Sequence, residues 1–173
     1  MQYTIARAPL PLGHPDTDWD GPQWAGIETL DIAEYRWEDS GHHPRTQVRI
    51  AYDDGFLGAI FRVEDCWVRA VAESFGDPVS ADSCVEFFVS PYAMGQTDAY
   101  FNFELNCGGV LLLRRCSSTT ERAWGRPSPM LAAADGALVR IAHTMPPRVD
   151  PEITTPTTWL VELHAPFELF GRY

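Results

Sequence analysis

Asp82-Ser83-Cys84-Val85-Glu86-Phe87-Phe88-Val89-Ser90-Pro91 and, after a loop, Tyr100-Phe101-Asn102-Phe103-Glu104-Leu105-Asn106-Cys107-Gly108-Gly109 both alternate with period two. That period is the signature of a half-buried strand. In the second segment Phe101, Phe103 and Leu105 share the face a core needs. Tyr100, Asn102, Glu104 and Asn106 share the other, where the pleat sets one aromatic, two amides and a carboxylate in a line. In the first segment Val85, Phe87 and Val89 share one face, and Cys84, Glu86 and Phe88 the other. As antiparallel neighbours, the two strands would bring Glu86 beside Asn102 or Glu104. That polar surface is the leading candidate site in the chain.

Working outward, the same punctuation recurs. Leu30 and Ile32 suit a short strand, and Gln47 to Tyr52 a longer one. Asp53-Asp54-Gly55 is hairpin chemistry, and Phe56 to Val63 returns with apolar residues on much of both faces, as a central strand does. Trp67 to Ala72, Val110 to Arg115, Leu138 to Met145 and Thr158 to Ala165 read as further strands, with Trp67 and Trp159 inward. Residues 117–137 and 146–157 read as loops, the first with a helical turn near Met130 to Ala134. Pro166-Phe167 opens a short helix. Residues 1–24 contain four prolines and no sustained periodicity, which predicts an extended arm over the fold. Eight to ten short strands without a long amphipathic helix predict an all-β antiparallel sandwich, jelly-roll or immunoglobulin-like, in one domain over residues 1–173.

Composition narrows the function. With 13 Lys and Arg against 24 Asp and Glu, the net charge is -11. No basic stripe exists to neutralise phosphates, so neither nucleic acid nor an anionic membrane is an expected partner. No apolar run is long enough to span a bilayer. The first residues lack the apolar core of a signal peptide, so a cytoplasmic location is expected unless a leader has been removed. Cys66, Cys84, Cys107 and Cys116 form no Cys-x-x-Cys pair. Four cysteines allow three connectivities, and buried free thiols are the favoured reading.

The order Asp82-Ser83-Cys84-Val85-Glu86-Phe87-Phe88, Tyr100-Phe101-Asn102-Phe103-Glu104-Leu105-Asn106 and a glycine turn resembles bacterial proteins similar to family 9 carbohydrate-binding modules, within the wider DOMON-like group. Trp19-Asp20-Gly21 with Trp24 looks like that family's opening segment. Thr46 to Asp54 with Leu57 and Phe61 looks like its first hairpin, and Trp159 to Phe167 like its strand ending in Pro-Phe. The resemblance implies a β-sandwich that holds saccharides without chemistry, between two tryptophans and a set of polar side chains, with structural calcium nearby. Glu86 matches the family's glutamate. Asn102 and Glu104 stand where sugar-binding members have arginine and asparagine. The tryptophan expected before Asp82 is absent, and relatives continue past the Pro-Phe segment, so the chain is expected to stop short of their last strands.

These residues carry competing readings. For sugar binding, Glu86, Asn102, Glu104 and Asn106 bond hydroxyls, with Tyr100 or a tryptophan stacked on a pyranose face. Trp124, beside Arg122 and Arg126, and Trp37 are the platform candidates. The rival is a solvated sheet face, with Glu86 paired to Arg114 or Arg115, in an interaction module that has lost its sugar. A third reading makes Glu86 and Glu104 the acid and base of a glycoside hydrolase. Asp53, Asp54, Glu64, Asp65, Asp77 and Asp82 are calcium-capable oxygens, each also suited to turn and capping duty.

Overall fold

The computed structural model describes residues 3–35, 41–93, 96–116 and 128–173. It is a β-sandwich. Its larger sheet contains β1 (Ala6–Arg7), β2 (Leu30–Ile32), β3 (Arg45–Tyr52), β4 (Phe56–Asp65), β9 (Arg140–His143) and β11 (Thr157–Pro166). They run in the order β1-β3-β4-β11-β9, with β2 also on β3. The facing layer contains β5 (Val68–Ala70), β6 (Cys84–Val89), β7 (Tyr100–Asn106), β8 (Leu111–Cys116) and β10 (Val149–Ile153). There β6-β7-β8 form one antiparallel ladder and β10-β5 another. Ser83 joins the two, because its N–H donates to the Arg69 carbonyl and its carbonyl accepts from Cys107 N–H. Among the described residues, two short α-helices, α1 (Ala133–Gly136) and α2 (Phe167–Gly171), close the chain's corners.

Alternation decides what fills the space between the layers. Phe61, Val63, Trp159, Val161 and Leu163 from the larger sheet meet Phe101, Phe103, Leu105 and Leu113 from the smaller. Each such side chain contributes on the order of 1.5–3 kcal/mol on burial. The larger sheet is also covered on its outer face. Leu12, Trp19 and Trp24 from the N-terminal segment pack there on Ala51 and Ile60. This double covering explains why β4 is apolar on both faces.

The β3–β4 hairpin turns on Asp53. Its Oδ1 accepts from the N–H groups of Gly55 and Phe56, and its Oδ2 from Leu12 N–H, so one carboxylate sets the turn and ties down the arm. Partial burial works to raise this carboxyl, but the three N–H donors outweigh it and hold it below the ordinary carboxylate value. A depressed folded value means stability that is present above the ordinary carboxylate range and lost as pH falls through the folded value. Asp53→Asn is therefore expected to cost about 1 kcal/mol at neutral pH. The gap from the unsubstituted protein should narrow as acid protonates Asp53. Denaturant melts from neutral to strongly acidic pH check this, and a gap that stays constant with pH would contradict it.

Two sequence expectations are corrected. Trp67 is not core: it is 47 % exposed. The Asp65 carboxylate accepts from Cys66 and Trp67 N–H and turns the chain at the end of β4. The strand that follows buries Val68 and Ala70, the opposite phase. The proline-rich stretch 146–157 is not wholly loop either, since it contains β10. Pro151 falls at a register irregularity between Val149 and Ile153, on a strand at the edge of its ladder. Edges and irregularities are where a sheet tolerates a residue without an N–H.

Candidate functional site

The β6–β7 ladder pairs Cys84 with Asn106, Glu86 with Glu104 and Phe88 with Asn102. On the other side of β7, Asn102 faces Arg114 and Glu104 faces Leu112. The polar row is thus assembled on the outer face of the smaller sheet, away from the core. Its exposure is uneven. Glu86 is exposed, whereas Asn102, Glu104 and Asn106 are buried. The rival reading of a solvated sheet face does not hold at those three. Arg114 and Arg115, the suggested partners of Glu86, bond elsewhere. Arg114 donates to the Ser128 carbonyl, and Arg115 to the Tyr92 hydroxyl and the Tyr173 carbonyl.

Inside the row, Asn102 Nδ2 donates to Glu104 Oε1 at 2.8 Å, and Asn102 Oδ1 is enclosed with no partner among the described residues. A buried acceptor left without a donor costs about 1–3 kcal/mol. Glu104 also stands directly opposite Glu86 on the ladder. Asn106 is different. Its Oδ1 accepts from Gly108 and Val110 N–H, and its Nδ2 donates to Asp82 Oδ2. Asp82 in turn accepts from Val71 and Ala72 N–H. Asn106 therefore closes the β7–β8 turn and clamps it to the chain after β5. The turn needs its glycines: a Cβ on Gly108 would lie 2.6 Å from the Pro147 carbonyl oxygen, and Gly109 has φ +88°.

Beside the row lies a cleft of about 970 Å³, with Glu86, Phe88, Arg69, Glu152, Tyr35 and Trp67 among its lining residues. Phe88 and Tyr100 sit with ring centroids 5.8 Å apart on the row's far end. Trp67 is a residue that sequence reasoning placed elsewhere. Its signal was the strand phase set by Val68 and Ala70. Trp37 and Trp124, the expected platforms, lie outside the described residues.

The four cysteines are free. Burial, reinforced by the nearby Glu86 and Glu104 carboxylates, pushes the Cys84 thiol up to about 12, so it is no nucleophile at neutral pH. Of the calcium-capable acids, Asp54 and Glu64 pair with Arg7 and Arg45, and the other four accept backbone N–H groups. Asp53, Asp65 and Asp82 accept backbone N–H groups as described, and Asp77 accepts from Glu73 and Ser74 N–H. Among the described residues they do not converge into an oxygen cage of the kind calcium takes.

A search of curated proteins finds no match. Among solved structures, a proposed carbohydrate-binding protein from Bacteroides uniformis ATCC 8492 superposes with a TM-score of 0.82 at 24% identity, over 98% of this chain and 74% of its own. At that identity the likeness speaks for the fold. The family model for carbohydrate-binding family 9 matches residues 23–171, most of the chain. The chain belongs to carbohydrate-binding family 9.

Proposed function

We propose that the protein binds a mono- or oligosaccharide in the cleft beside β6 and performs no chemistry on it. The observation that carries this reading is the half-exposed Trp67 lining one open cleft with Glu86 and Arg69. A pyranose presents an apolar C–H face and a rim of hydroxyls. An indole serves the first, and a carboxylate and a guanidinium serve the second. Glu86 is the direct hydroxyl acceptor in this reading. The Asn102–Glu104 pair lies behind it as a polar backing. Phe88 and Tyr100 border the row, while Asn106 acts through the turn it closes. Family membership supports a saccharide as the ligand class.

The hydrolase reading has less support. Glu86 and Glu104 are side-by-side neighbours on one sheet surface, whereas glycosidase carboxyls flank the scissile bond. Calorimetric titration of the folded protein against a panel of mono- and oligosaccharides is the test. Binding to at least one sugar is expected, with affinity about tenfold weaker in Glu86→Ala, as for loss of one hydrogen bond to a charged group. Silence across the panel would favour an interaction module instead.

A further inference from the structure

The β3–β4 register pairs Arg45 with Glu64, and the Arg45 guanidinium meets the Glu64 carboxylate at 2.7 Å. At that end of the ladder the chain before β3 and the chain after β4 leave the sheet together. There His42 lies against Asp65 and Cys66, more than twenty positions away in sequence. One ligand atom from each of His42, Asp65 and Cys66 lies within 4.8 Å of the others. His42 Nε2 is 2.6 Å from Asp65 Oδ1. The Asp65 side chain is 4% exposed, and its orientation is fixed by the N–H groups of Cys66 and Trp67. Buried carboxylates normally have a partner. The group opens onto a cleft of about 620 Å³, lined also by His43, Glu64 and Thr157.

We propose that His42, Asp65 and Cys66 form a three-ligand site for a zinc-class divalent cation. An imidazole nitrogen, a carboxylate oxygen and a sulfur together suit zinc, while calcium and magnesium take oxygen. Zinc–ligand bonds of about 2.0–2.3 Å in a tetrahedron set the ligand atoms roughly 3.3–3.7 Å apart. His42 and Asp65 part by about one ångström to reach this, and Cys66 closes in. The thiol proton leaves to solvent as the Cys66 sulfur binds, so affinity falls as pH is lowered. The fourth position faces the cleft and takes water. Bound metal clamps the segment before β3 to the β4–β5 corner, next to Trp67.

The test is titration of the tag-free full chain with Zn²⁺ by calorimetry and chelator competition, with Co²⁺ as a spectroscopic probe. One equivalent is expected, with the near-ultraviolet sulfur-to-cobalt charge-transfer band in the unsubstituted protein and in His43→Gln. Cys66→Ser should lose that band, and Cys66→Ser and His42→Gln should each weaken Zn²⁺ at least tenfold. Circular dichroism would show that each variant is folded. No stoichiometric binding, or Zn²⁺ affinity unchanged in Cys66→Ser and His42→Gln, would overturn the site. The readout contains no sugar, so its failure leaves the saccharide reading standing, and the converse holds as well.

Discussion

Glu162→Ala is expected to lower the free energy of unfolding by about 3 kcal/mol or more, since it strips the shared acceptor from several groups at about 1–3 kcal/mol for each one left unsatisfied. Glu162 and His164 alternate on the outer face of β11, and both side chains are fully buried. Glu162 Oε1 meets His164 Nε2 at 2.8 Å. Its Oε2 accepts the N–H groups of Asp16 and Thr17, at 3.1 and 2.8 Å. One carboxylate therefore fastens the N-terminal arm to the sheet it covers. Alanine leaves two backbone donors and an imidazole without that acceptor beneath the arm. The loss should extend to the packing the arm makes. Leu12 and Trp24 are buried against the sheet, and the Arg49 and Arg62 guanidinium groups lie over the Trp19 ring, 4.5 and 4.4 Å from its centroid. Glu162→Gln, which keeps an acceptor, should cost less. Urea denaturation gives the energy, and limited proteolysis across residues 8–24 shows whether the arm is released. A loss under about 1 kcal/mol with unchanged protease resistance would mean that apolar contact alone holds the arm.

Trp67→Ala should separate binding from stability. The side chain is about half exposed and lies outside both core clusters. Removing a surface side chain of this kind changes stability by roughly 0.5 kcal/mol or less. If the indole is the platform for a sugar face, affinity should fall about 10- to 30-fold, the loss of a modest aromatic hot spot of roughly 1.4–2 kcal/mol. Replacement by Phe or Tyr should recover part of it, since either ring offers a smaller apolar face. The pair of measurements is a thermal melt and a titration with the sugar identified in the panel. An affinity that survives the alanine substitution would move the platform away from Trp67.

Much of the architecture is readable from period and punctuation. Asp53-Asp54-Gly55 marks the β3–β4 turn, and the two-sided apolar character of Phe56 to Val63 marks a central strand. The alternation from Tyr100 to Asn106 sorts Phe101, Phe103 and Leu105 from Asn102, Glu104 and Asn106, because successive side chains on a strand must point to opposite faces. Alternation does not say what lies over a face. The row is buried at Asn102 and Glu104 but exposed at Glu86, a difference that alternation does not carry. Trp67 shows a second limit. A short strand fits two phases equally well, and the contacts of Val68 and Ala70 with the core chose the one that turns the tryptophan outward.

The sequence by itself determined the fold class, the core face of each long strand and the residue types of the polar row, since these follow from local periodicity and turn chemistry. Only the tertiary structure decided that Glu86 stands opposite Glu104, that Glu162 anchors the arm, and that His42 meets Asp65 and Cys66. Each of these is a pairing between segments far apart in the chain, and register across such a distance is chosen by the packing of the whole sandwich.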